Sequence, residues 1–382
     1  MRLAVLRELA DGETRVALVP ESVRKLSGAG HGVAVETGAG AAAGFLDSAF
    51  TAAGATVITD SAQLVADAEM ILKVGPPLLS PRDEVAMMRS GQYLLSSLMA
   101  TRNRAAVRAL ATRGVTAFST DTIPRITRAQ SMDTLSSMAS IAGYRGALLA
   151  ALELHKYMPM FMTAAGTIPP AKVFVIGAGV AGLQAIATAR RLGAQVFATD
   201  VRPEVKEQIE SVGARYVGIE LAQSAAAGGG YAGELSEQDK ARQAELLARQ
   251  CAASDAVITT ALIGGVFAPR LISAAMVQTM RPGSVIVDLA ADGGGNCELS
   301  QPGQTVTANG VRILAPLNLA GGMPTDASVL WSRNLTAFLL AFCKDGQFQM
   351  NLTDEILRGA TITHGGQIVH DKTRQLLAAG EP

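Results

Sequence analysis

Residues 173–202 read VFVIGAGVAGLQAIATARRLGAQVFATDVR. The apolar run Val173–Ile176 suits a strand buried on both faces. Gly177, Gly179 and Gly182 then fall in the spacing G-x-G-x-x-G. Val180 and Ala181 open a stretch with helical spacing of apolar residues, and a second short apolar run ends at Asp200. Each part has a physical reason. Gly177 allows the tight turn, Gly179 lets a pyrophosphate approach the backbone, and Gly182 lets the helix lie close to the strand. The helix N-terminus adds free N–H groups and a partial positive charge. A lone Gly pattern is weak evidence, but strand, turn, helix, second strand and terminal acid together predict a Rossmann-type dinucleotide site. A carboxylate at Asp200 accepts hydrogen bonds from ribose hydroxyls and repels a 2′-phosphate, which favours NAD. Arg202 is a residue type that can meet a 2′-phosphate. With Asp200 in the acceptor position the reading remains NAD. Val201 lies between them.

Working outward, the 382 residues suffice for two or three domains at roughly 150 residues each. Upstream, short apolar runs at 3–7, 32–36, 56–58, 70–74, 93–96 and 116–119 alternate with helical stretches, which predicts an open, mostly parallel sheet. Pro124 breaks this rhythm, and from about Met132 to about His155 an Ala/Leu-rich pattern reads as one long helix. After the fingerprint, further strands are expected at 216–218, 256–259, 284–288 and 305–307. A second long helix follows in the segment after Arg312, then a polar tail that returns to the first domain. The expected architecture is α/β: two Rossmann-like, doubly wound parallel-sheet domains joined by two long helices. The first comprises 1–137 with 319–382 and the second 138–318. Gly228–Gly230 would make a loop or flap, and the prolines around 159–170 an irregular segment.

Lys+Arg and Asp+Glu are both 33, giving a net charge of zero. That speaks against a nucleic-acid binder, which needs a basic surplus, and aromatics at 4% offer no stacking platform. No uninterrupted apolar run approaches the ~20 residues of a membrane helix. The N-terminus turns charged before any signal-like apolar core develops, so a cytoplasmic setting is expected. Cys251, Cys297 and Cys343 are too scattered for a disulfide framework or a zinc site. His31, His155, His364 and His370 are not spaced as metal ligands, so no metal is expected.

Five stretches together resemble the alanine dehydrogenase/proton-translocating transhydrogenase superfamily. They are ETRVALVPESV (13–23), PRITRAQSMDTLSSMASIAGYRG (124–146), residues 159–194, TDVR (199–202) and PGSVIVDLAADGGGN (282–296). The two branches need different chemistry. The dehydrogenases use an Arg, a Lys in a KVKEP segment and a His in a YLHLA segment. Here Arg15 keeps the Arg, but Gly75 stands for the Lys and Met99 for the His. Glycine and methionine cannot move protons, so Arg15 is expected to hold its loop. Hydride exchange between two nicotinamides needs no protein acid or base, and the chain therefore resembles the NAD(H)-binding components of the transhydrogenases.

That resemblance implies a nicotinamide end lined by Arg125, Gln130, Asp133 and Ser136, with Gln130 reaching toward the second nucleotide. It implies further nucleotide contacts at Val180, Gly182, Asp200, Val201 and Arg202, at Gly230 and Tyr231 in the flap, and at Gln243 and Leu262. It also implies a homodimer and membrane-embedded partner subunits that include an NADP(H)-binding domain. The chain itself would span no membrane and would sit in the cytoplasm at the inner membrane. A plain reading of 125–136 is a helix start capped by Ser131, with Asp133 in the first turn. Met138, Ser140, Asp292 and Gly321–Gly322 depart from the family pattern and are expected to alter domain or dimer contacts.

Overall fold

The alternating apolar runs and helices fold as parallel sheets flanked by helices in the computed structural model, which describes residues 1–218, 236–262 and 268–378. Two units result: Met1–Met138 with Ala320–Pro382, and Ala139–Leu319.

The first unit holds an eight-stranded sheet. Across it lie Gln367–Ile368, Thr361–His364, Thr116–Ser119, Tyr93–Ser96, Met70–Leu72, Arg2–Val5, Gly32–Glu36 and Thr56–Ile58. The six strands from the first 119 residues are parallel. The returning tail adds the other two antiparallel. Side chains alternate between faces, as a strand's period of two requires. Val5, Val35, Leu72, Leu95 and Phe118 pack on one face with Trp331, Leu335 and Phe338. Ala4, Ile71, Leu94 and Ala117 pack on the other with Val107 and Leu110. The sheet is thus buried on both sides, which explains why its strands read as continuous apolar runs.

Among the described residues the second unit holds a seven-stranded sheet in the order Arg215–Tyr216, Gln195–Thr199, Lys172–Ile176, Ala256–Thr259, Val285–Asp288, Val311–Leu314 and Thr305–Ala308. All pairs are parallel except the last. The order reverses beside Lys172–Ile176, which pairs with Gln195–Thr199 on one side and Ala256–Thr259 on the other. In an open α/β sheet, ligands bind beyond the carboxyl ends of the strands at such a reversal.

Several elements differ from the sequence expectation. Of the two long helices expected to join the domains, Thr134–Glu153 does cross from one unit to the other, near its start. The second long helix, Pro324–Phe342, lies wholly in the first unit, and the chain passes between units at Leu319–Ala320 just before it. The proline-rich segment contains an exposed hairpin, Phe161–Thr163 with Gly166–Ile168. Val311–Leu314 is an added strand, paired by its backbone where the short run VRIL gives little signal of its own.

Among the described residues Thr134–Glu153 is long and apolar enough to cross a membrane. Ser136, Ser137 and Arg145 interrupt it, and its small residues fit it to the second unit. A Cβ on Gly143 would lie 2.0 Å from the carbonyl oxygen of Ala181, and one on Gly146 2.8 Å from Leu289. Ala147 and Ala150 enter the core beside Val173 and Val175.

Candidate functional site

Gly177 leaves its strand at φ +90°, a left-handed conformation that favours glycine. A Cβ on Gly182 would sit 1.9 Å from the carbonyl oxygen of Gly177, so the helix Val180–Arg191 can start where it does only with glycine there. A Cβ on Gly179 would meet nothing within 4 Å. Gly179 and Val180 are exposed, so the start of this helix is open to a ligand. The donor set and the cradle therefore fit a pyrophosphate.

Asp200 is tied to this turn. The Ala178 N–H donates to its Oδ2 at 2.8 Å. Arg202 donates three times: from its backbone N–H and Nε to Oδ1, at 3.0 and 2.8 Å, and from Nη2 to Oδ2 at 2.8 Å. Burial pushes the Asp200 carboxyl up, but the Arg202 side chain and the two N–H donors outweigh burial and hold it below the ordinary range. It is ionised at neutral pH. The acceptor expected to serve a ribose is therefore already forked by a guanidinium, a feature residue type alone does not reveal. Val201 is half-buried between the two. Leu262, 40% exposed, follows the strand Ala256–Thr259 and approaches Gly293. Gln243 is half-buried on the helix Glu237–Ala253. Gly230 and Tyr231 lie outside the described residues.

Three supporting residues escape a reading of the sequence. Thr260 Oγ1 donates to the Gly177 carbonyl at 2.9 Å. Asn296 accepts from the Ala261 N–H at 3.0 Å and donates to its carbonyl at 2.8 Å. Together they fix the chain beyond the reversal point. Gly143 lets the long helix reach the fingerprint. The glycines of 143–146 give a signal, but only the packing shows what they meet.

The second group of predicted residues lies in the first unit, on residues 120–136. This stretch lines a cavity of about 570 Å³ with Arg125, Gln130, Asp133 and Ser136 in its wall. Asp133, not Ser131, caps the long helix. It accepts from the Ser136 N–H at 2.8 Å and from Ser136 Oγ at 2.6 Å. Ser131 belongs to the short 3-10 helix Thr127–Met132, pinned by Asn334, whose Nδ2 donates to the Ser131 carbonyl at 2.8 Å. Arg125 and Gln130 are exposed at the cavity mouth. The arrangement offers one guanidinium, one amide and a carboxylate held by its own serine. Such groups can orient a polar ligand.

The one charge that an amino-acid site would keep here, Arg15, is locked in the fold, and a buried charge cluster lies in the same unit. Arg15 donates through Nε to Glu13 at 2.7 Å and through Nη2 at 2.5 Å, and its guanidinium lies 5.5 Å from the Trp331 ring centroid. Lys73 is fully buried between Glu8, at 3.0 Å, and Glu84, at 3.2 Å. Arg82 continues the cluster to Glu84 and Glu36. Burial pushes Lys73 down, but the two carboxylates outweigh it and leave its pKa raised. Met99 sits at φ +43°, with its N–H donating to Asp121 at 3.2 Å. Gly75 has space above it, the nearest atom being Glu8 Oε2 at 3.9 Å from an added Cβ.

The two sheets, the glycine cradle and the polar loop define a nucleotide-binding α/β chain, and the family models name its class. Residues 4–142 match the alanine dehydrogenase/PNT N-terminal domain and residues 146–371 the C-terminal domain. The chain belongs to the alanine dehydrogenase/PNT family. It is 46% identical over 384 residues to NAD(P) transhydrogenase subunit alpha of Cereibacter sphaeroides, covering 99% of this chain and 73% of that one. The crystal structure of transhydrogenase from Sinorhizobium meliloti superposes with a TM-score of 0.88 at 44% identity, covering 97% of this chain and all of that one. Alanine dehydrogenase of Bacillus subtilis is 30% identical over 381 residues, covering 97% of this chain and 93% of that one.

Proposed function

We propose that this chain is the NAD(H)-binding component of a proton-translocating NAD(P) transhydrogenase. Hydride passes between NAD(H) held here and NADP(H) held by a partner subunit. The observation that carries this reading is a polar cavity able to orient a ligand, in a unit whose proton-shuttling positions are Gly75 and Met99. Arg15, the remaining cation of an amino-acid site, is committed to Glu13. A substrate carboxylate would have to break this short ion pair to use it.

In this reading Gly177, Gly179, Val180, Ala181 and Gly182 hold the pyrophosphate. Asp200, Val201 and Arg202 hold the adenosine ribose, with Gln243, Leu262, Gly230 and Tyr231 around the nucleotide. Arg125, Gln130, Asp133 and Ser136 hold the nicotinamide end. The nicotinamide supplies the hydride chemistry, and the protein's task is to place one ring for close approach by another. Asp133 and Ser136 stiffen each other, so the loop keeps its shape while Arg125 and Gln130 meet the ligand. Membrane-embedded partners would couple the exchange to proton movement, placing the chain in the cytoplasm at the membrane periphery. Exposed Leu152, Met160, Phe161 and Met162 on the second unit support a homodimer.

The direct test mixes the purified chain with a cognate NADP(H)-binding domain. NADH-dependent reduction of an NADP analogue is the expected result, with no reduction of NAD by L-alanine from the chain alone. Robust alanine-dependent NAD reduction would overturn the assignment.

Cofactor choice is tested at Asp200. Asp200→Asn removes the repelling charge and releases the Arg202 guanidinium to meet a 2′-phosphate. The preference for NADH over NADPH should fall about tenfold, or ~1.4 kcal/mol, in parallel titrations at one ionic strength. An unchanged ratio would exclude Asp200 as the selector.

A further inference from the structure

The turn that closes the strand Thr116–Ser119 carries four polar side chains in a row, Ser119 to Thr122. Three of them are satisfied by the protein. Ser119 Oγ accepts from the Leu98 N–H at 2.8 Å and donates to Asp121. Asp121 also accepts from Ser97 Oγ at 2.9 Å and the Met99 N–H at 3.2 Å. Thr122 Oγ1 donates to the Ser119 carbonyl at 3.1 Å. The fourth, Thr120, is 3% exposed, and its hydroxyl has no hydrogen-bond partner among the described residues. Buried hydroxyls are nearly always bonded, because an orphan pays its desolvation without return. Among the residues lining the 570 Å³ cavity, Thr120 alone carries such an atom. It also lies at the carboxyl end of a parallel strand, where α/β sheets bind ligands.

The cavity's chemistry indicates what the hydroxyl meets. The described lining carries one cation, Arg125, and one anion, Asp133, whose two oxygens are both engaged by Ser136. Ile123, Ile126 and Leu135 supply apolar surface. Balanced charge and apolar walls suit a flat ring bearing a neutral amide. A threonine hydroxyl serves that group either way, donating to its carbonyl or accepting from its NH₂.

We propose that Thr120 is a further binding residue of this cavity, its hydroxyl completing the hydrogen bonds of a ring carboxamide. This rests on the nucleotide reading of the cavity given above. With no ligand bound the hydroxyl costs stability, and binding recovers that cost.

The test uses the full chain with Thr120→Val, which keeps the shape, and Thr120→Ser, which keeps the hydroxyl. NADH and ADP-ribose, which lacks the nicotinamide, are titrated against each. Thr120→Val should weaken NADH about three- to tenfold and leave ADP-ribose unchanged. It should also raise the unfolding temperature of the nucleotide-free protein, because it removes an unsatisfied buried group. Thr120→Ser should bind NADH as the parent does. Parent-like NADH affinity in Thr120→Val would overturn the proposal. So would a lower unfolding temperature for that variant, which would mean that the hydroxyl serves the fold. If the parent chain bound ADP-ribose but gained nothing from the nicotinamide, the nucleotide reading of the cavity would fail first.

Discussion

Replacing Lys73 by methionine should cost the first unit about 3–5 kcal/mol, the magnitude typical of a broken buried ion pair. The stem of Lys73 is replaced almost in kind, so the loss comes from charge. Glu8 and Glu84, both nearly inaccessible, would keep their carboxylates but lose the ammonium 3.0 and 3.2 Å away. Arg82 still reaches Glu84 at 2.8 Å, but Glu8 would keep only the Val74 N–H at 2.6 Å. The pH sign follows from the raised pKa of Lys73. The ammonium's contribution is lost as pH rises through its folded value, and on the acid side the pair is lost as Glu8 protonates, since burial holds the Glu8 carboxyl above the ordinary range against the pull of Lys73. Trp331, the chain's one tryptophan, packs in the same unit and reports its unfolding by fluorescence. A denaturant midpoint shifted by less than about 1 kcal/mol would mean that the cluster relaxes or takes in water, contrary to the burial of its charges.

Gln130→Asn should lower hydride exchange with the NADP(H)-binding domain roughly a hundredfold, the scale of an ångström-sized misplacement of reacting groups. NADH affinity should change less than about threefold, since one neutral hydrogen bond carries little ground-state energy. The amide is kept and only a methylene is lost, so the variant separates reach from chemistry. Gln130 stands exposed at the cavity mouth, on a 3-10 turn that Asn334 pins from behind. The loop should therefore hold its shape in the variant. Steady-state exchange at saturating NADH, paired with equilibrium binding, reads the two effects apart. Lost NADH binding with normal turnover per bound complex would make Gln130 an ordinary nucleotide contact.

The fingerprint is legible because its geometry is local. A glycine at φ +90°, a second under an approaching carbonyl and an acid at the next strand's end are all set within about thirty residues of chain. The absence of Lys and His at positions 75 and 99 is likewise a matter of residue identity. The cap of the long helix falls two residues beyond its expected place. Ser131 and Asp133 are both good caps, and the choice falls to the 3-10 turn that Asn334 holds from some 200 residues away. The strands at 311–314 and 361–364 escape the sequence for a related reason. Short runs become strands when a sheet edge offers them partners, and sequence proximity does not supply that edge.

The sequence by itself determined the α/β class, the nucleotide turn and the loss of acid–base groups, because these depend on residue type and short spacing. Only the tertiary structure decided the state of the charges. It closed Arg202 onto Asp200, Arg15 onto Glu13, and Lys73 between Glu8 and Glu84. It also left Thr120 as a buried hydroxyl without a partner among the described residues, at the wall of the cavity. Hydrogen bonding and desolvation act over a few ångströms, and the groups within that distance of a given side chain are set by how the strands and loops are packed together.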